Sequence, residues 1–174
     1  AQIAHWLYAR GAMDFSEMTD LPKGFREALA GEWRISEFSL VEAYPSRDGS
    51  VKYLFTLLDG KKTEAVYMPY KNRKTVCLSS MVGCPAGCTF CATGALGFGR
   101  NLTAAEILSQ LLAIAHHQGI SPRDIRNVVL MGMGEPLLNL GSVLKAIRTM
   151  LHPKGLAMSP RRITLSTVGI PKGI

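Results

Sequence analysis

The sequence predicts an α/β protein in which a small helical plus antiparallel-β region precedes the first three strands of a parallel β/α array. Three observations carry this prediction. Residues 1–34 keep helical apolar spacing, residues 35–70 alternate β-rich runs with turn dipeptides, and from Lys74 onward short apolar runs alternate with amphipathic stretches. The expected organisation is a helical accessory region over 1–34, an antiparallel region with a basic linker over 35–73, and the parallel array over 74–174.

In the first region Ile3, Trp6 and Leu7 share one helical face, and Gly11 breaks the pattern. Asp20-Leu-Pro22 predicts a second helix start, with Phe25, Ala28 and Leu29 lining its packed face and Gly31 ending it. Ordinary core packing accounts for Trp6 and Phe25. Phe38–Tyr44, Val51–Leu58 and Thr63–Met68 then read as three strands, separated by Ser46-Arg-Asp-Gly-Ser50 and Asp59-Gly60. Lys71-Asn-Arg-Lys74 reads as a basic linker and a domain boundary.

Beyond it, Val76-Cys77-Leu78 predicts a strand leading directly into a cysteine loop. Thr103-Ala-Ala-Glu106 is a capping box opening a helix that carries Ile107, Leu108, Leu111, Leu112 and Ala115. Val128–Met131 is a short apolar run suited to a strand covered on both faces. Asn139 is expected to cap a helix bearing Leu140, Val143, Leu144, Ile147 and Leu151, and Arg161–Ser166 supplies the third strand. Parallel sheets place their sites at the carboxyl ends of the strands. The cysteine loop, Gly132-Met-Gly-Glu135 and Ser166-Thr-Val-Gly169 should therefore converge.

Composition sets outer bounds. With 47% hydrophobic and 19% charged residues the chain can bury a sizeable core, and 20 basic against 13 acidic side chains leave a net charge of +7. That balance favours a polyanionic partner such as nucleic acid. No apolar run is long enough to span a bilayer and no secretory pattern is present, so a cytoplasmic location is expected. The sequence opens at Ala1 inside a helical pattern and stops at Ile174 just after a strand-like run, and is expected to be part of a longer protein.

The chemistry concentrates in Cys84-Pro-Ala-Gly-Cys88-Thr-Phe-Cys91, a C-x3-C-x2-C spacing flanked by glycines that let the backbone wrap tightly. Three clustered thiols suit a 4Fe–4S cluster with one iron left open for a ligand. A structural zinc site is the alternative; it normally draws on four ligands, and the nearest imidazoles, His116 and His117, lie inside a predicted helix. A disulfide framework does not suit a chain of this length and core. Gly132-x-Gly134 lacks the third glycine of a dinucleotide fingerprint. Its glycines would let backbone approach a ligand, and Glu135 would accept from an ammonium group.

Taken together these motifs resemble the radical SAM superfamily and, within it, the RlmN family. The residues that carry the resemblance are Val76-Cys-Leu-Ser-Ser-Met-Val-Gly-Cys84, Cys91-Ala-Thr-Gly-Ala-Leu-Gly-Phe98, Arg100-Asn-Leu-Thr103 and Gly132-Met-Gly-Glu-Pro-Leu-Leu-Asn139. Trp6, Asp14-Phe15 and Glu17-Met-Thr19 are similar to that family's accessory domain.

The resemblance implies a partial radical SAM (β/α) barrel and an enzyme that methylates C2 of an adenine in 23S rRNA and in tRNA. The family passes the methyl group through a methyl-cysteine near its C-terminus, and no cysteine follows Cys91 here. Cys84, Cys88 and Cys91 would hold the 4Fe–4S cluster, and Phe90, Gly134, Glu135 and Ser166 would bind S-adenosylmethionine. Cys77 and Glu64 would compete as the catalytic proton acceptor. Lys61, Lys62, Lys71, Arg73, Lys74, Arg161 and Arg162 are the candidates for RNA contact. The implied partners are 23S rRNA, tRNA and a flavodoxin-like reductase, with no membrane and a monomeric state.

Two other readings remain. A Cfr-like C8 methyltransferase fits less well, because Val82 and Pro136 follow the RlmN pattern. A non-catalytic, zinc-stabilised RNA-binding module leaves Gly132 to Asn139 without a role.

Overall fold

One mixed six-stranded sheet runs through the protein in the computed structural model, which describes residues 1–71 and 73–171. Its first half is an antiparallel meander of β1 (Phe38–Pro45), β2 (Val51–Leu57) and β3 (Lys62–Tyr70). Alternation sets the buried face: Val51, Tyr53, Phe55 and Leu57 of β2 point inward, as do Thr63, Ala65 and Tyr67 of β3. Phe38 packs on Phe55 with ring centroids 4.4 Å apart.

The second half is parallel. Strand β4 (Arg73–Cys77) pairs antiparallel with β3 and parallel with β7 (Asn127–Leu130), which pairs parallel with β8 (Ile163–Leu165). These are the three expected parallel strands. The expected boundary near residue 73 falls inside hydrogen-bonded sheet, with Tyr70 opposite Arg73 at a tight turn; Asn72 of that expected linker lies outside the described residues.

Helix α1 (Gln2–His5) continues into a π turn over Trp6–Arg10 and stops at Gly11, whose φ is +74°. Helix α2 (Lys23–Glu32) is N-capped by Pro22 and ends one residue beyond Gly31. It corrects the expected packing. Phe25 is 47% exposed and Ala28 is exposed, because the helix rests on its neighbours through Leu29 and through the Arg26 guanidinium, which donates to the Ser16 carbonyl. A small cluster of Ala12, Phe15, Met18 and Leu21, with Ile3, Trp6 and Leu7 against it, forms the accessory core. The Ser121 hydroxyl donates to the Ala9 carbonyl at 2.6 Å, tying this region to the turn before β7.

Helix α4 (Ala104–His117), which follows the short α3 (Ala92–Ala95), begins at the expected capping box. The Glu106 N–H donates to Thr103 Oγ1 at 3.1 Å, and the Glu106 carboxylate accepts from the Thr103 N–H at 2.8 Å. Arg100 grips that carboxylate with both terminal nitrogens, at 2.6 and 2.9 Å, and its Nε reaches Asp59 at 2.6 Å. Burial opposes charge on Glu106, but the Arg100 guanidinium and the Thr103 amide outweigh it and hold the carboxyl below its usual range. Ile107, Leu111 and Ile114 are fully buried against the sheet, each contributing about 1.5–3 kcal/mol of transfer free energy.

Helix α5 (Leu140–Leu151) follows a 3-10 turn over Pro136–Asn139. Asn139 does not cap it with its side chain. Its amide instead donates to the carbonyls of Ser80 and Leu102 at 2.8 and 2.7 Å.

The reason lies in the segment after β4. Instead of entering the cysteine loop directly, the chain runs through Leu78-Ser79-Ser80 and then forms β5 (Met81–Gly83), which pairs with β6 (Phe98–Asn101) as a separate ribbon. Leu78 to Met81 are all buried. Leu78 still donates its N–H to the Val129 carbonyl of β7 at 2.9 Å, but the backbone polar groups of Ser79 to Met81 lie off the main sheet and need other partners. Gln110, fully buried, supplies two: its Oε1 accepts from the Ser79 N–H and its Nε2 donates to the Ser79 carbonyl, both at 3.0 Å. The Met133 carbonyl accepts from the N–H groups of Ser80 and Met81.

Replacing Gln110 with leucine keeps the volume and strands both backbone groups of Ser79. We expect a loss of about 3 kcal/mol in urea denaturation of the full-length protein, whereas a change below about 0.5 kcal/mol would remove this contact from the account.

A cysteine cleft at the strand ends

The β5–β6 ribbon presents the cysteine loop. Cys84 donates its N–H to the Gly97 carbonyl at 3.0 Å, closing the loop at its base. Gly83 has φ +69°, and a Cβ there would lie 1.9 Å from the Gly97 oxygen, so this crossing admits no side chain. Gly94 passes over Cys88 in the same way, a Cβ on it lying 3.0 Å from the Cys88 carbonyl. The expectation that glycines wrap this loop therefore holds at two identified positions.

Cys91 stands just before α3, where backbone N–H groups of Gly94 and Thr93 point at its sulfur and lower the thiol's pKa. All four cysteines are free.

The three strand-end loops converge. Cys84, Cys88, Phe90, Cys91, Gly134, Glu135 and Ser166 line one cleft of about 550 Å³, together with Met131, Gly132, Thr167 and Val168. Phe90 is 91% exposed.

Glu135 is only 3% exposed and already engaged. Its carboxylate accepts from the Leu137 N–H at 2.9 Å, the Thr167 hydroxyl at 2.7 Å and the Val168 N–H at 2.8 Å. It latches the loop after β7 to the loop after β8, and three of its roughly four lone-pair sites are taken. Sequence reasoning did not find Thr167, because nothing local marks a threonine as a partner 32 residues away.

Gly132 and Gly134 line the cleft, but their lack of side chains serves the protein's own backbone. A Cβ on Gly132 would lie 2.6 Å from Ser79 Oγ, and one on Gly134 would lie 2.6 Å from Met81 Cβ. The glycines leave room for the buried connector. The Ser79 hydroxyl completes that junction, donating to the Glu64 carbonyl at 2.5 Å and accepting from the Met133 N–H at 2.7 Å.

The two remaining candidates sit beside the cleft. Cys77 ends β4, between Val76 and Leu78, whose side chains enter the core. Burial pushes its thiol up, with the Met131 N–H pulling weakly the other way. Glu64 lies on β3 in an adjoining hollow of about 280 Å³ that shares Thr93 with the cysteine cleft, and its carboxylate meets Lys52 Nζ at 3.2 Å.

The donor set fits an iron–sulfur cluster: three free thiols, Cys84, Cys88 and Cys91, line one open cleft, the ligand number that leaves one iron of a 4Fe–4S cluster open.

Comparison with known proteins agrees with this geometry. The family model described as the radical SAM superfamily matches residues 78–172, and one described as the ribosomal RNA large subunit methyltransferase N-terminal domain matches residues 1–35. The chain is 86% identical over all 174 residues to a protein of Thermus thermophilus named probable dual-specificity RNA methyltransferase RlmN, covering 49% of that protein. It is 57% identical to the protein of the same name from Deinococcus deserti over 99% of this chain and 50% of the relative. The crystal structure of a radical SAM methyltransferase from Sphaerobacter thermophilus superposes with a TM-score of 0.91 at 42% identity, covering 97% of this chain and 50% of that one. The chain thus spans about half the length of the relatives it matches. Among the described residues no helix is long and apolar enough to cross a membrane. With its cysteine loop, strand-end cleft and both matched segments in one order, this chain belongs to the radical SAM superfamily and, within it, to the RlmN family.

Proposed function

We propose that the protein containing this chain methylates RNA at C2 of an adenine, in 23S rRNA and in tRNA, using a 4Fe–4S cluster and S-adenosylmethionine. The observation that supports this reading is the convergence of seven separately identified residues, from three strand ends, on one open cleft. When bound, the cluster supplies the electron that cleaves S-adenosylmethionine; the protein's part is to hold, orient and exclude water.

In this reading Cys84, Cys88 and Cys91 hold the cluster. Gly132 and Gly134 form a floor that cannot shift, because the connector lies directly beneath it. Glu135 offers its remaining lone pair to the cofactor's ammonium group while fixing Thr167 and Val168 on the opposite wall. Phe90, projecting from the loop, packs on the cofactor's adenine and covers the cleft. The target base must leave its stack to reach this depth.

Cys77 accepts the proton from adenine C2. Its alternation with Val76 and Leu78 turns it away from the core, and its raised pKa makes its thiolate a stronger base once formed. Glu64, at the adjoining hollow, is the competing acceptor. The methyl-carrying cysteine comes from outside this chain. Four free thiols suit a reducing compartment, so we place the protein in the cytoplasm, as a monomer served by a flavodoxin-like reductase.

Two measurements on the full-length protein test this reading. Anaerobic iron and sulfide analysis should give about four irons for the native protein and a loss of the cluster in Cys88→Ala; stoichiometric zinc without iron would contradict it. For Glu135→Gln, S-adenosylmethionine affinity by equilibrium dialysis should fall about tenfold or more, with a stability loss of about 1–3 kcal/mol because the amide NH2 that replaces one oxygen faces a donor. Unchanged affinity would restrict Glu135 to latching the loops.

A further inference from the structure

The cations that the sequence offers for RNA contact do not share one surface. Lys61 and Lys62 lie at the turn into β3, on the cysteine-loop end of the sheet, and Lys62 lines the hollow beside Thr93. The other five gather at the opposite end. Strands β4, β7 and β8 are parallel and in register, Thr75 opposite Asn127 and Val128 opposite Ile163, so the residues that precede them meet along one edge. Arg73 and Lys74 open β4, Arg126 precedes β7, and Arg161 and Arg162 precede β8. Arg126, which the sequence reading missed, donates its N–H to the Lys74 carbonyl at 2.8 Å and so joins the row. With neighbouring strands about 4.8 Å apart, the row spreads its charge over roughly 10 Å.

The β3–β4 turn extends this row with an aromatic ring. Tyr70 is 58% exposed, and Lys71 Nζ and the Arg73 guanidinium each stand 5.5 Å from its ring centroid. Arg73, Arg126, Arg161 and Arg162 are exposed and Lys74 is half-buried. Among the described residues none of these cations forms an ion pair; the pairs present use Lys23, Lys52 and Arg100. Asp124, the acidic side chain of these strand-start segments, leaves them uncompensated. Like charges so gathered repel one another, and a bound polyanion relieves that repulsion.

We infer that this strand-start edge is an RNA phosphate-binding rim, engaging the backbone of the RNA whose target base enters the cleft at the other end of the same strands, with Tyr70 as a stacking platform at its margin. The inference rests on the RNA-methylation reading and adds a second point of contact to it. Guanidinium groups with an exposed aromatic match phosphate and base recognition. An acidic electron donor is less well served, because it must approach the cysteine loop and the rim lies at the opposite strand ends.

The test uses the full-length, cluster-loaded protein and two RNAs, an unmodified tRNA transcript and a large-subunit rRNA hairpin, titrated at several salt concentrations. The Lys74→Ala/Arg126→Ala/Arg162→Ala variant should bind more weakly, roughly tenfold or more near physiological salt, and its log K against log salt slope should be shallower by about 2. An equal charge change at the accessory helices and α5, away from the strand starts, Lys23→Ala/Arg34→Ala/Lys145→Ala, should leave the slope unchanged. Arg126→Gln alone, which spares the fold, should lower it by about 0.7, and Arg126→Lys should retain it. Equal losses in both triple variants would reduce the effect to net charge and overturn the rim. A native slope in the rim variant would also overturn it, most tellingly if reduction of the cluster by an acidic flavodoxin slowed instead. Failure of the native protein to bind either RNA would remove the RNA reading itself, a result distinct from a rim failure against a native protein that binds.

Discussion

The buried passage of Leu78 to Met81 is the constraint on which the rest of the structure depends. A chain leaving a strand end normally emerges into water, where its amides are satisfied at no cost. Here it crosses the interior, and an unpaired buried amide or carbonyl costs about 1–3 kcal/mol. Beside backbone bonds to Val129, Gly132 and Leu102, partners come from Gln110 on α4, Asn139 at the start of α5, and Met133 in the loop after β7. These contacts fix both helices to the segment from which the cysteine loop departs. They also explain the glycines of Gly132-Met-Gly134, which lie where a Cβ would strike that segment.

A firm base carries a loop whose function lies in its open side. The β5–β6 ribbon closes at Gly83 and Gly97, and beyond that closure Cys88, Phe90 and Cys91 face an open cleft. The far wall is held by one carboxylate. Glu135 ties two strand ends together, so a ligand bound against it is read by both loops at once. Precision at the floor and wall, combined with access at the loop, is what a site needs when it must position a cofactor and still admit a second reactant.

Much of this was legible from sequence where the cause is local. The Thr103–Glu106 box, the apolar run Val128–Met131 and the turn glycines each act within a few residues; the box and the turns form as expected, and the strand forms but stops at Leu130, leaving Met131 exposed. The three cysteines and the strand-end rule were enough to bring one cleft together. What stayed hidden acts across long separations. Gln110 reads as a polar position on an amphipathic helix, and only the path of a segment 31 residues earlier shows why it is buried. Asn139 sits where a cap belongs, yet a pair of distant carbonyls claims its amide. Phe25 misled in the other direction, since a helix with few neighbours leaves even a phenylalanine in water. Arg126 drew no notice as a single charge; parallel register places it among four others.

The measurement that tests the central claim most directly is native-state amide hydrogen exchange on the full-length protein stripped of its cluster. If buried side chains pin the connector, the amides of Ser79, Ser80 and Met81 exchange only through global opening, at the slow rate of the core strands, while those from Ala86 to Leu96 exchange orders of magnitude faster. Exchange of Ser79 to Met81 at the loop's rate would mean that the connector is ordered only by the bound cluster, and the account of a prebuilt base would be wrong.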